Sequence, residues 1–213
     1  RDGFGDVLAE GSRRLAERFA RAEVAMHVKG MEIPAYDPRG MPAQALGYMT
    51  SPTGACHLRG GYSIALAFFG GYKEVPRFSI RQAAMTAKNQ QDLGIIQDSF
   101  GVCRFTGYAV GAEYWTKAYS AVTGNHVSRE EIEESAERIA TLERVFNVKT
   151  GITRKDDDLP ARFKTQSISI GDRSYRISEN DRERMLDDYY EIRGWDKDGV
   201  PERETCEKYG IEL

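Results

Sequence analysis

The sequence predicts a mainly α-helical fold, and three features support that class. Apolar residues recur every three or four positions in several long segments, as they do in amphipathic helices. Ser79 with Gln82, and Ser128 with Glu131, have the spacing of a capping box, in which a serine side chain begins a helix. Strand-like alternation is confined to one short stretch near residues 165–177, where we expect a small hairpin.

The N-terminal third is predicted to contain short helices and ordered loops. Asp6 is placed to cap a helix that carries Phe19 on its apolar face. Residues 31–40 contain two prolines and end in glycine, which predicts a fixed loop. Pro42 suits the first turn of a short helix. Residues 52–61 are rich in glycine, and we expect no regular element there.

The middle of the chain is predicted to contain two helices separated by a loop. Ser79 begins a helix that continues toward Leu93. Residues 94–107 contain glycines and scattered apolar residues, which indicates a loop with apolar anchors. Residues 111–122 form the second helix, and Gly124 ends it.

The last part is predicted to contain two further helices. The helix that begins after Ser128 is expected to bury four apolar residues: Ile132, Ile139, Leu142 and Phe146. Residues 156–160 are acidic and indicate a flexible linker. Ser178 begins the last helix, and Trp195 is expected to anchor the polar tail. We therefore divide the chain into a helical body, residues 1–154, and a C-terminal subdomain with the tail, residues 155–213.

Composition excludes several classes of function. The 213 residues carry a net charge of −3, so no basic excess exists to bind a nucleic-acid backbone. The longest nearly apolar stretch, residues 62–72, is too short to cross a bilayer, and we expect no membrane span. We expect its large side chains, Phe68 and Phe69 among them, to fill the core. The chain begins at Arg1 without a signal-peptide pattern, from which we expect a fragment or a processed chain.

The three cysteines indicate a reducing compartment. Cys56, Cys103 and Cys206 cannot all pair with one another, and no two of them form a C-x-x-C unit. A disulfide framework is therefore a poor interpretation, and we expect a cytoplasmic protein with at least one free thiol.

Two segments contain residues suited to binding or catalysis. In residues 98–105, Asp98 can accept hydrogen bonds from a heterocycle, Gly101 allows close approach of the backbone, and the Cys103 thiolate can ligate iron. The alternative is a tight turn with a buried cysteine. In the glycine-rich loop, Arg59 suits phosphate or a polar ring edge, and His57 can move protons near neutral pH. The alternative there is a structural histidine.

Three motifs together resemble one family. The pattern K-G-x-E-x-P-A-Y-D-P-R-G matches residues 29–40, G-A-C-H-L-[KR] matches residues 54–59, and D-x-x-G-L-C matches residues 98–103 with Val102 in place of leucine. Their order and distances resemble the C-terminal part of the tungsten-containing aldehyde ferredoxin oxidoreductases. Residues 185–201 resemble the closing segment of that family. The fold implied by the resemblance is the multi-helix C-terminal domains of these enzymes, with the pterin and cluster motifs in residues 1–154.

The resemblance implies binding roles at the third motif. The family holds tungsten, for which molybdenum is the alternative, between two pterin dithiolenes beside a [4Fe–4S] cluster. Asp98 and the backbone at Gly101 and Val102 would bind one pterin. Cys103 would be one of the four cysteine ligands of the cluster.

The resemblance also implies roles in the first two motifs. Arg59 stands where the family places a basic residue at the pterin. His57 would lie near the metal and the substrate and assist proton transfer. Asp37 and Arg39 would brace the site.

The departures from the family pattern matter as much. The C-x-x-C-x-x-x-C run, the second pterin motif and the N-terminal domain are absent from this sequence. Cys56 and Cys206 do not replace the missing ligands. We therefore expect the last third of such an enzyme, with no activity and no bound metal or cofactor in the isolated chain.

The function implied by the resemblance is the interconversion of aldehydes and carboxylates. Its partners would be ferredoxin or another iron–sulfur carrier, a small aldehyde or carboxylate, and the missing N-terminal part of the same enzyme. Apolar surface left uncovered would favour a homodimer. Two alternatives stay open: a tungsten subunit of a benzoyl-CoA reductase-like enzyme, and a cofactor-free helical interaction module.

Overall fold

The computed structural model describes residues 2–69 and 76–212, and the fold is mainly α-helical, as predicted. The α-helices in the described part are α1 Phe4–Ala9, α2 Gly11–Arg18, α3 Pro42–Thr50, α4 Leu66–Phe69, α5 Ala83–Ser99, α6 Ala112–Thr123, α7 Arg129–Lys149, α8 Ala161–Thr165, α9 Glu179–Arg193 and α10 Arg203–Lys208. Two antiparallel hairpins complete it: β1 His27–Val28 with β2 Met31–Glu32, and β3 Ile168–Ile170 with β4 Arg173–Tyr175.

Helix α3 lies at the centre of the fold, and all of its residues are buried. Helix α5 packs along it, and α7 and α9 also pack against α5. Leu46 and Tyr48 of α3 belong to the same apolar cluster as Met185 and Leu186 of α9. Residues from both sides of position 154 therefore share one core.

The helix starts predicted at Ser128 and Ser178 are confirmed, whereas α5 begins at Ala83 and not directly after Ser79. The Glu131 amide donates to Ser128 Oγ over 3.1 Å, and the Ser128 amide donates to Glu131 Oε2 over 2.7 Å. Ser178 and Asp181 make the same reciprocal pair at the start of α9. These contacts satisfy amide groups that have no partner inside the helix. Helix α6 ends at Gly124 in the left-handed conformation, also as predicted.

Helix α5 is longer than the sequence predicts. It runs through Ser99, so the first part of the predicted loop, residues 94–99, is helical. A glycine inside a helix usually weakens it, so Gly94 in the sequence predicts a helix end. Here a Cβ at Gly94 would lie 1.4 Å from Nη1 of Arg104, so this position is glycine because a side chain from the following loop crosses it.

The buried face of α7 differs from the prediction. Leu142 is 54% exposed and Phe146 is 65% exposed, and α7 instead buries Ala136, Arg144 and Val145. The reason is a requirement of tertiary structure: Arg144 pairs with a buried carboxylate, and this contact sets which face turns inward. Three phenylalanines expected in apolar contacts are exposed as well: Phe19, Phe68 and Phe69.

The acidic segment 156–160 is not a flexible linker. The Asp157 side chain is fully buried and lies 2.6 Å from Nζ of Lys29 and 2.8 Å from Nη1 of Arg144. The hairpin predicted near residues 165–177 is confirmed, with Ile168 opposite Tyr175. Trp195 is buried, as expected, but the polar tail also forms α10.

Within the described residues, no helix is long and apolar enough to cross a membrane.

Candidate functional site

The glycine-rich loop of residues 52–61 lies between α3 and α5. A Cβ at Gly47 would come within 2.2 Å of the Gly60 carbonyl oxygen, so the loop touches the α3 backbone directly. Gly61 has a φ of +80°, and a Cβ there would lie 2.8 Å from the Gln91 amide nitrogen. These glycines let the loop lie against both helices without a spacer. Their close contacts fix the position of His57 and Arg59.

The start of this loop is also held by polar side chains from distant elements. Nζ of Lys29 donates to the carbonyl of Met49 and, over 3.4 Å, to that of Ser51. Nδ2 of Asn147 donates to the Pro52 carbonyl over 2.9 Å. Because carbonyl groups at a helix C-terminus have no partner in the helix, these donors stabilise the point where α3 passes into the loop.

His57 lies in an aromatic cluster. The centroid of its ring is 5.4 Å from that of Tyr36 and 5.3 Å from that of Tyr62. The Tyr62 hydroxyl donates to the Tyr36 hydroxyl over 2.6 Å, which links the two tyrosines to each other. Partial burial lowers the pKa of His57 below its ordinary value, because the charged imidazolium loses water. The imidazole is therefore neutral at neutral pH and able to accept a proton.

The third motif forms the C-terminal end of α5 and the turn after it. The amide of Gly101 donates to the Asp98 carbonyl over 3.0 Å, and the amide of Val102 donates to the Gln97 carbonyl over 3.2 Å. Gly101 has a φ of +67°, the left-handed conformation that such helix ends require. Cys103 follows as an exposed free cysteine. Burial, the alternative for Cys103, is therefore excluded.

Asp98 makes a bidentate ion pair with Arg104. Nε of Arg104 donates to Oδ1 over 3.0 Å, and Nη2 donates to Oδ2 over 2.8 Å. Both carboxylate oxygens therefore accept from parallel N–H groups in one plane, the strongest geometry for this pair of side chains.

Arg59 makes its ion pair with a residue of α7. Nη1 of Arg59 donates to Oε1 of Glu143 over 3.0 Å. Burial raises the pKa of Glu143, the nearby Arg59 opposes this effect, and Asp98 adds to it. Glu143 is therefore electrostatically coupled to both of the charged residues that the motifs contribute.

The sequence-predicted residues fall into two groups in the fold. His57 and Arg59 lie on the loop, and Asp98, Gly101, Val102 and Cys103 lie at the end of α5. The loop lies against α5 at Gly61, the second group forms the end of α5, and Arg59 and Asp98 have opposite electrostatic effects on the pKa of Glu143. The His57 ring contacts Tyr36 and Tyr62, and neither tyrosine belongs to the group at the end of α5.

Sequence reasoning missed two residues of this site. Glu143 lies within the charged pattern of α7, and nothing in its local sequence distinguishes it from solvent-exposed neighbours. Arg104 directly follows the third motif, and its position beside Asp98 and Cys103 is the signal that would have found it.

The first motif contains an ion pair, between Asp37 and Arg39, that contacts a distant part of the chain. Asp37 accepts from Nε of Arg39 over 2.9 Å and from its Nη2 over 2.6 Å. Nη1 of Arg39 then donates to the Gln166 carbonyl over 3.0 Å, and its guanidinium lies over the Phe163 ring. The motif therefore connects the loop before α3 to α8 and the segment that follows it.

Among the described residues, no group of three or more His, Cys, Asp and Glu side chains is arranged to hold a metal ion.

The family model and the similar proteins that match this chain name the same family. The family model described as aldehyde ferredoxin oxidoreductase, domains 2 & 3, matches residues 1–211. The tungsten-containing aldehyde ferredoxin oxidoreductase of Pyrococcus furiosus is 39% identical over 216 residues, which cover 99% of this chain and 35% of that protein. The enzyme of the same name from Thermococcus kodakarensis is 38% identical, with 99% of this chain and 35% of that protein covered. The chain thus spans about 35% of the length of these relatives.

Two more distant proteins are also similar. The aliphatic sulfonate oxidoreductase, WOR-like subunit, of Pyrococcus furiosus is 27% identical, with 99% of this chain and 33% of that protein covered. The solved active site complex BamBC of benzoyl coenzyme A reductase superposes with a TM-score of 0.75 at 22% identity, with coverage of 99% of this chain and 37% of that chain. At that identity, the likeness to the solved structure establishes the fold alone.

Proposed function

This chain belongs to the aldehyde ferredoxin oxidoreductase family, and from that premise we propose that it forms the C-terminal part of a tungstopterin, iron–sulfur enzyme. The complete enzyme interconverts aldehydes and carboxylates and exchanges electrons with ferredoxin. The named relatives at 38–39% identity support this activity over the others in the family. The free cysteines support a reducing, cytoplasmic compartment.

One observation carries the proposal. Arg59 and Asp98 come from separate motifs, yet both are coupled to Glu143, and both segments lie along α5. A cation and a carboxylate that are both carried by segments along α5 suit a ligand that has an anionic part and an edge of N–H donors. A pterin with its phosphate has both features.

The residues present fit one pterin. Asp98 already binds two parallel N–H donors, which is the pattern that a pterin edge offers. A Cβ at Gly101 would have no atom within 4 Å, so the backbone of this turn is open to a ligand. We assign Asp98 and the backbone at Gly101 and Val102 to the pterin ring, and Arg59 to its phosphate or polar edge.

The residues present fit only a part of the iron–sulfur site. Cys103 is exposed and suits one thiolate ligand, whereas a [4Fe–4S] cluster requires about four. We assign the remaining ligands, and the second pterin site, to the N-terminal part of the enzyme. The isolated chain is accordingly expected to be inactive and free of metal.

His57 is assigned to proton transfer. Its neutral imidazole accepts a proton from an oxygen of the substrate or of water and returns it later. Tyr36 and Tyr62 hold the ring in place by contacts with its faces and edges. The bound cofactor would supply the two-electron oxidation or reduction.

A chimera tests this proposal. The chain replaces the corresponding 35% of the Pyrococcus furiosus enzyme, and tungsten, iron and aldehyde-dependent ferredoxin reduction are measured. We expect bound tungsten and about four iron atoms per chain. Cys103→Ser should lose iron, Asp98→Asn should lose tungsten, and His57→Ala should keep both metals but lower turnover.

Four outcomes contradict the proposal. Full metal content in both the Cys103→Ser and the Asp98→Asn chimeras would remove these residues from the cofactor site. Stoichiometric tungsten or iron in the purified 213-residue chain would show that the chain holds a complete site. Reduction of an aromatic coenzyme A thioester by the chimera, without aldehyde oxidation, would favour a benzoyl-CoA reductase-like subunit. A chimera that folds but binds no cofactor would favour the helical interaction module.

A further inference from the structure

Arg104 offers Asp98 the same kind of hydrogen-bonding edge that a pterin offers. Its Nε and Nη2 are two parallel N–H donors, each bonded to one oxygen of the Asp98 carboxylate, at 3.0 and 2.8 Å. The 2-aminopyrimidinone edge of a pterin carries a ring N–H and an adjacent amino group with a similar spacing. Because both edges need the same two oxygens, only one of them can occupy Asp98 at a time.

The guanidinium of Arg104 also lies against the α5 backbone at Gly94, a position that we call the Arg104 slot. A Cβ at Gly94 would lie 1.4 Å from Nη1 of Arg104 and 2.3 Å from its Cζ, so the planar group rests directly on the α5 backbone. The Arg104 side chain is only 13% exposed. A slot whose floor is the backbone at a glycine also accepts the planar edge of a heterocycle.

Arg104 can leave this slot while the backbone around it stays in place. Its carbonyl accepts from Nε2 of Gln97 over 3.3 Å, and the Thr106 amide donates to the Cys103 carbonyl over 3.0 Å. These bonds do not involve the guanidinium. The Asp98 side chain is 43% exposed, so water and an incoming ligand can reach the carboxylate and replace the bonds from Arg104. The pair is therefore suited to exchange.

We propose that Arg104 is an intramolecular substitute for the pterin, which occupies Asp98 in the cofactor-free chain and is displaced when the 2-aminopyrimidinone edge binds. This inference rests on the proposed function, in which Asp98 binds the pterin. Arg104 keeps the carboxylate of Asp98 in its binding geometry before the cofactor arrives, and it competes against ligands that lack two adjacent N–H donors.

Pterin itself is the probe for the test, added to the 213-residue chain and followed by its fluorescence anisotropy. Arg104→Gln removes the competing donor pair, and Arg104→Lys keeps the charge but loses the planar fork. We expect both variants to bind pterin about tenfold more tightly than the parent. This factor corresponds to a parent in which Asp98 is free of Arg104 in about a tenth of the molecules and to variants in which it is always free. Asp98→Asn should abolish binding, and far-UV circular dichroism checks that each variant is folded.

Lumazine is the matched control ligand, because a carbonyl replaces the amino group of pterin and would face the Asp98 carboxylate. We expect neither the parent nor the variants to bind it. Equal pterin affinity in the parent and both Arg104 variants overturns the inference and leaves the proposed function intact. Absence of pterin binding to the Arg104 variants, or unchanged binding by Asp98→Asn, overturns it as well. The metal content of the chimera then decides separately whether the proposed function stands.

Discussion

Lys29 and Asp157 form an ion pair in the interior of the protein, with Nζ of Lys29 2.6 Å from Oδ1 of Asp157 and side chains that are 5% and 0% exposed. Burial lowers the pKa of Lys29, and the carboxylate opposes that effect. The same ammonium donates to carbonyl groups of Met49 and Ser51, at the start of the loop that carries His57. A residue of the acidic segment therefore supports the candidate site from the opposite end of the sequence.

Asp157→Asn should destabilise the protein strongly. The change leaves Lys29 and Arg144 as buried cations without their carboxylate, and breaking such a pair typically costs about 3–5 kcal/mol of unfolding free energy. Urea denaturation at neutral pH measures the effect. Glu207→Gln, which breaks an exposed pair with Arg203, is the control and should leave the transition midpoint nearly unchanged. A decrease in unfolding free energy no larger than that of Glu207→Gln would contradict the conclusion that Asp157 neutralises buried cations.

Gly47→Ala should displace the loop that carries His57. The added Cβ would lie 2.2 Å from the Gly60 carbonyl oxygen, and overpacking of this kind costs about 1–3 kcal/mol. Thermal unfolding should show a lower midpoint, and the NMR signal of the His57 ring should shift. Gly5→Ala in α1 is the control, since its Cβ would meet nothing within 4 Å. An unchanged midpoint in both variants would mean that the loop does not touch α3.

His57 should make the protein less stable as the pH falls. Its pKa in the folded state lies below the ordinary value of 6.5, so the unfolded chain binds a proton more readily between these two values. The free energy of unfolding therefore decreases as the pH drops through 6.5 toward the lowered pKa. Urea denaturation at several pH values compares the parent with His57→Gln, which should have a shallower dependence. His27, whose pKa burial also lowers, contributes equally to both proteins and is cancelled by this comparison.

Glu143→Gln should not weaken the protein at neutral pH, although it removes the ion pair with Arg59. Burial raises the pKa of Glu143 above 4.5, so the folded state binds its proton more tightly than the unfolded state does. The ionised carboxylate therefore costs stability as the pH rises through that window, and glutamine removes this cost. We expect an unfolding free energy at about pH 7 equal to or above that of the parent, with the difference shrinking toward acid pH. Glu130→Gln, at an exposed position of α7, should have no such effect.

Local signals in the sequence predicted some helix ends and were wrong at others, since Asp6 lies inside α1 and α5 begins at Ala83 rather than directly after Ser79. Ser128, Ser178 and Gly124 act through atoms within four residues, so their effect does not depend on the rest of the fold. The predictions were also wrong where a contact with a residue distant in the sequence determines the local structure or the buried face of a helix. Position 94 is a glycine because Arg104 crosses α5 there and not because the helix ends, and α7 turns Leu142 outward while Arg144 pairs with Asp157.

The sequence by itself determined the family, the helical class and the residues that the proposal assigns to the cofactor. These could be predicted because motif order, capping residues and apolar spacing are properties of the linear sequence. Only the tertiary structure decided which charges meet: Arg59 with Glu143, Asp98 with Arg104, and Lys29 with Asp157. Two of these pairs join residues more than 80 positions apart. Ion pairing depends on distance in space, and the packing of α3, α5, α7 and α9 sets that distance.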